Sequence, residues 1–181
     1  LKKGFQHKFT RETRAGGNNM KIRALLVIAA LFVASAPLWG ATEAASGFAT
    51  LKNLAGQWET KGPDGNPMVV TWMAVSAGSA MMEEMPHESM VTMYHLDNNR
   101  LLMTHYCAAG NQPRMQAEVS PDGKTIVFNF LDATNLASPA DGHMHKMVLT
   151  IRDNDHFSEQ WFFSKDGKDV NTKTFQYARK Q

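Results

Sequence analysis

The chain has little with which to staple or anchor itself. A single cysteine, Cys107, among 181 residues excludes an intramolecular disulfide, so the folded domain rests on its hydrophobic core. That thiol reads more readily as a small buried hydrophobe than as a reactive group. Long apolar runs are missing as well. The longest, Ala24 to Ala34, falls short of the ~20 residues that span a bilayer. Charge of one sign is also scarce. The formal net charge is +2, but seven of the 19 basic residues precede residue 40, where only Glu12 opposes them; beyond it stand 12 basic and 16 acidic residues, a net of −4. A basic nucleic-acid-binding footprint is therefore excluded for the folded part, and nucleic acid is not an expected partner. No Gly-x-Ser-x-Gly elbow or phosphate-cradling glycine loop occurs, and no paired-carboxylate motif stands out. What remains, 43% hydrophobic, has the length and composition of one ordinary globular domain.

Near the start, Met20-Lys21-Ile22-Arg23, the apolar run and then Ser35-Ala36-Pro37 have the three-part layout of a secretory signal peptide. Residues 20–45 are read as signal peptide and cleavage zone, with cleavage after Ala36 or at a later bond before Ser46. Residues 1–19 are polar and patternless, and Met20 reads as the true start behind an upstream extension. The expected location is periplasmic or secreted, with no transmembrane anchor left after cleavage.

From Ser46 to Gln181 short alternating runs are separated by turn dipeptides, the pattern of an all-β up-and-down meander. Asp64-Gly65, Asn98-Asn99, Asp122-Gly123, Asp153-Asn154-Asp155 and Asp166-Gly167 mark turns. The spacing predicts ten strands: Gln57–Lys61, Pro67–Ser76, Ala80–Met85, Ser89–Leu96, Arg100–Cys107, Pro113–Ser120, Thr125–Asp132, His143–Arg152, His156–Ser164 and Asp169–Arg179. A short helix over Gly47–Leu54 precedes them. Ten such strands suggest a closed antiparallel barrel, because closure removes the edges.

Register sorts the faces. A turn at Asp122-Gly123 sets Ile126, Phe128 and Phe130 against Val119, Ala117 and Met115 on one apolar face. Extending that face selects Leu101, Met103, His105 and Cys107 on one side. On the other it selects His143, His145, Met147, Leu149 and Ile151, then Phe157, Trp161 and Phe163 with Glu159 as a polar intruder. The last strand breaks the pattern: its turn places Val170, Thr172 and Thr174 inward, unless a bulge intervenes. Up-and-down connectivity gathers Met85-Pro86-His87, Cys107 to Gln112 and Ala133 to His145 at one end, the expected mouth. The helix lies beneath the other.

Gly56-Gln57-Trp58 after a short helix, with Arg179 on the last strand, resembles the lipocalin and calycin signature, in which the tryptophan packs under a late arginine at the closed end. The segments Thr104 to Arg114, Asp132 to Pro139 and Asp141 to His145 are similar to those of a bacterial family of exported lipocalin-like proteins of unknown function. The resemblance covers essentially Leu51 to Lys180. It implies a calycin-like barrel and carries no ligand or activity with it.

Two chemistries compete for the mouth. The first is a binding site for a small, largely apolar molecule, with Met115, Phe128, Phe130 and Trp161 among its walls and His105, Cys107, Asn111, Gln112, Asn135, His143 and His145 as orienting groups. The second is a zinc or copper site. His143 and His145 lie two residues apart, as do His105 and Cys107, a spacing of ~6.6 Å along a strand that suits chelation. Strands separating the two pairs stand against it, and a polar rim explains the same residues. The methionines of Met81 to Met93 are soft enough for copper, yet serve equally as adaptable packing. Cys107 with His105 or His143 is the nearest approach to a nucleophile and base, and Glu159 is a candidate acid. Neither reaches catalytic specificity, so a binding protein is preferred to an enzyme, and no residue pattern names a cofactor.

Overall fold

The computed structural model describes residues 39–181 apart from Pro63. The leader over residues 20–38 and the upstream extension lie outside the described residues. The helix α1 (Trp39–Asn53) starts well before Gly47, within the segment read as the cleavage zone. Alanines at 41, 44, 45 and 49 favour helix. Ala44, Phe48 and Leu51, at spacings of four and three, form the buried stripe.

Ten strands follow: β1 (Gly56–Lys61), β2 (Pro67–Val75), β3 (Ala80–Met85), β4 (Met90–Asp97), β5 (Arg100–Tyr106), β6 (Gln112–Val119), β7 (Thr125–Thr134), β8 (His143–Ile151), β9 (His156–Lys165) and β10 (Lys168–Arg179). Each pairs antiparallel with its neighbours in sequence, and β10 pairs with β1 to close the barrel. The expected register is present: Val119 pairs with Ile126, Ala117 with Phe128 and Met115 with Phe130. Among the described residues no helix is long and apolar enough to cross a membrane.

One end of the barrel is plugged. Helix α1 contacts β4, β5 and β6, and Phe48, Leu51 and Leu54 are buried beneath it. Trp58, fully buried, donates its indole N–H to the Leu54 carbonyl at 2.7 Å. The Arg179 guanidinium lies 4.2 Å from the centre of the Trp58 ring and donates to the carbonyls of Asn53, Ala55 and Asn154. Gly56 has φ 133°, where a side chain is strained, and a Cβ there would sit 3.1 Å from the Arg179 guanidinium. The tryptophan–arginine arrangement read from Gly56, Trp58 and Arg179 is thus formed at the floor. Above it Trp72, Tyr94, Met103, Met115, Phe128, Met147, Leu149 and Phe157 fill the lumen.

Three irregularities interrupt the ladders, all near the opposite end. Leu131 is an extra residue of β7 against β6, His145 of β8 against β9, and Val170 of β10 against β9. Each is a bulge, which shifts the alternation of the residues beyond it. The third one corrects the inward set read for the last strand. Asn171, Lys173, Phe175 and Tyr177 face the lumen, whereas Val170 is exposed.

Candidate ligand-binding site

At the mouth end the packed lumen opens into a cavity of about 140 Å³. Its apolar wall comes from six strands: Met68 of β2, Met85 of β3, Met90 of β4, Met144 of β8, Phe163 of β9 and Phe175 of β10. Four of those six are methionines, whose unbranched thioethers conform to varied shapes. His105, Trp161 and Tyr177 supply the inner polar edge, and Glu88, Asn171 and Lys173 also line it.

Beneath the cavity the barrel carries a buried polar chain. Glu83 and Glu159 are both fully buried, and each leaves its Oε1 without a hydrogen-bond partner. Tyr94 donates to Glu83 Oε2 at 2.7 Å. Trp161 Nε1 and the Tyr177 hydroxyl donate to Glu159 Oε2 at 3.1 and 3.2 Å. Burial pushes the Glu83 carboxyl well above the usual range, and the neighbouring Glu159 charge raises it further. Burial also raises Glu159, to about 7, against the pull of the Trp161 and Tyr177 donors. Of the two carboxyl groups Glu159 ionises first, and its charge helps Glu83 keep its proton.

His105 joins this chain to the cavity. It is 1% exposed, and its ring lies 4.7 Å from that of Trp161. Its Nδ1 is 2.9 Å from the Thr92 hydroxyl, and Thr92 is the cross-strand register partner of Glu83. Its Nε2 is buried and has no partner. Desolvation drives the His105 pKa down to about 4, so the ring is neutral near pH 7.

The other residues read from the sequence occupy several places. Trp161 joins His105 on the cavity wall. Met115 and Phe128 are fully buried in the packed lumen, and Phe130 is half-buried with its ring 4.6 Å from His143. Asn111 donates to the Gly142 carbonyl at 2.9 Å. Asn135 donates to Gln112 Oε1 and to the Gly110 carbonyl, each at 3.3 Å. These amides tie the β5–β6 loop to the β7–β8 segment. Cys107 is half-buried and accepts the Ala109 N–H at 3.5 Å.

The expected inward face of β8 is corrected by its bulge. Met144 pairs with Phe163 and lines the cavity, whereas His143 pairs with Ser164 and His145 is the extra residue. Neither histidine is on the cavity wall. The His143 ring is 2.7 Å from the Asp141 carbonyl through Nδ1, and His145 Nε2 is 3.0 Å from Asp169. The metal set His105, Cys107, His143 and His145 is not brought together. Among the described residues no three His, Cys, Asp or Glu side chains converge as metal ligands.

Several residues of the site escaped the sequence reading: Glu83, the four cavity methionines, Phe163 as cavity wall and Phe175. Glu83 had a signal, since Met81, Glu83 and Met85 alternate on one face of β3 and all three are buried. Glu159, read from the sequence as a candidate acid, is held by Trp161 and Tyr177 inside the barrel.

Together these features define a closed ten-stranded antiparallel barrel, plugged at one end and opening into a methionine-walled cavity at the other. No protein-family model matches the chain, and no curated protein matches it. Among solved structures it is similar to the crystal structure of Rv2717c from M. tuberculosis, at 15% identity and a TM-score of 0.44, covering 75% of this chain and 97% of that one.

Proposed function

We propose that this is an exported, calycin-like binding protein that takes a small, largely apolar molecule through its mouth. The observation that carries the proposal is the cavity itself, apolar on most sides and edged by a few polar groups, at one end of an otherwise filled barrel. A space of about 140 Å³ is close to the ~150 Å³ cavity that admits benzene in a protein interior. Export is supported by the signal-like layout from Met20 to Pro37. The calycin-like assignment is supported by the packing of Trp58 under Arg179.

Toluene is a suitable first probe, read through the methyl resonances of the methionines. Shifts at Met68, Met85, Met90 and Met144, with Met103 and Met115 undisturbed, are the expected result. Filling the space with Met144→Trp should abolish them. No saturable shift, or equal shifts at the fully packed methionines, would overturn the proposal.

A further inference from the structure

The methionines of the cavity are not scattered around it. Met85 and Met90 are direct cross-strand partners on β3 and β4. Two residues beyond Met90, on the same face of β4, Thr92 pairs with His105 of β5. His105 is therefore the diagonal neighbour of Met90, a separation of ~7–8 Å that long side chains span. Met68 stands on β2, the next strand round the barrel, and lines the same cavity. Three thioethers and one imidazole thus share a contiguous arc of the inner wall. Within that arc His105 Nε2 is buried and has no partner, a deficit that a bound species would relieve.

The donor set points to one kind of ion. Thioether sulfur is a soft, neutral donor that selects Cu(I), and imidazole suits copper as well. Zinc draws its ligands from Cys, His, Asp and Glu, and among the described residues no three of these converge. A singly charged ion is also less costly to bury than a divalent one, in a wall to which Glu88 and Lys173 bring one charge of each sign. The tautomer of the free ring does not decide the matter. The Thr92 hydroxyl, 2.9 Å from Nδ1, accepts as readily as it donates. An ion that takes the Nε2 lone pair therefore leaves the ring proton on Nδ1 with a partner, the usual support of a histidine ligand. The flexible, unbranched stems of methionine let the sulfur atoms close on an ion smaller than the cavity.

We propose that this arc is a Cu(I) site, with His105 Nε2 and the sulfur atoms of Met85 and Met90 as ligands and Met68 completing the set. The site goes beyond the apolar-guest reading: it gives the same cavity a second occupant of a different kind.

The test titrates the intact chain with Cu(I) under anaerobic conditions, in competition with a chromogenic Cu(I) chelator, and separately with Zn(II). About one equivalent of Cu(I) should bind, moving the methyl resonances of Met68, Met85 and Met90 and the Nε2 resonance of His105, while Zn(II) leaves them in place. Met90→Leu conserves volume and removes one sulfur, so it should weaken Cu(I) by at least about tenfold. Met103→Leu, in the packed lumen, should not. Cys107→Ser should keep the ion, and its loss there would assign the binding to the thiol and overturn the proposal. Equal weakening by Met90→Leu and Met103→Leu, equal binding of Zn(II), or no Cu(I) bound would also overturn it. Toluene binding without Cu(I) binding refutes the copper site and leaves the apolar-guest reading standing, and the reverse refutes that reading alone. If the variants do not fold, the wild-type spectra still decide: a His105 Nε2 resonance unmoved by Cu(I) refutes the site.

Discussion

A carboxyl pair sealed inside a barrel is tolerable only while at least one member keeps its proton, and Glu83 holds its proton the more tightly. The amide of Glu83→Gln has nearly the same shape and can donate in the same place, so that substitution should cost no more than about 1 kcal/mol near neutral pH. Glu83→Leu is different. It strands the Tyr94 hydroxyl, which is fully buried and bonds Glu83 at 2.7 Å. A loss of about 1–3 kcal/mol in urea unfolding is expected. Equal effects from the two substitutions would mean that the Tyr94 hydrogen bond to residue 83 contributes nothing to stability.

Between elements, the floor and the mouth are held by different means. The floor depends on Arg179, whose guanidinium joins the end of α1 to the β9 turn through three carbonyls while stacking on Trp58. Arg179→Ala should lower stability by about 2 kcal/mol, and Arg179→Lys should restore little, because an ammonium cannot fork across those carbonyls and stack at once. Chemical denaturation of the two variants measures this directly. At the mouth, residue 142 ends the β7–β8 segment, and a Cβ there would sit 2.6 Å from the Phe163 ring. Gly142→Ala should press that ring into the cavity and weaken toluene binding, on the order of tenfold for a displacement that overpacks the space. Unchanged affinity would show that the ring can yield outward.

Strand positions and the floor were legible because they rest on local signals. Alternation, Asp-Gly turns and the Gly56-Gln57-Trp58 triplet each act within a few residues. The cavity wall was not, because a bulge has no such mark. One extra residue, His145, turns Met144 inward in place of the two histidines, and one extra Val170 turns Phe175 and Tyr177 inward in place of Thr172 and Thr174. His105 faces inward as the alternation implies, because the β4–β5 ladder beside it is regular.

For the whole molecule, the buried groups impose a particular dependence on pH. A carboxyl whose folded pKa lies above its ordinary value binds protons more tightly when folded, so it loses stability as pH rises from 4.5 through about 7. His105 acts in the other direction. Its folded pKa of about 4 lies below the ordinary 6.5, so its contribution grows as pH rises across that interval. Glu83, raised further still, loses stability over the same interval, so His105 offsets one of the two carboxyls from 4.5 to 6.5 and none above it. Calorimetric melting temperatures should therefore fall gently through the overlap and more steeply above it. His105→Leu should steepen the decline on the acid side. A melting temperature that climbs above pH 6.5 would contradict this account.

The export proposal also meets the packing of the whole domain. Ala44 is buried with Phe48 against the barrel, so removal of everything before Ser46 would strip a core residue from α1. The mature N-terminus should lie upstream of Ala44, near Ala36, as N-terminal sequencing of the exported form would show.

The three bulges also bear on how such a protein changes its preferences. Leu131, His145 and Val170 all fall in the mouth half of their strands, and the first and last are exposed. None of the three lines the cavity, yet each determines which neighbours do. A gain or loss of a single codon at the rim can therefore exchange an entire set of ligand-facing side chains while the floor, the closure between β1 and β10 and the buried carboxyl pair stay as they are.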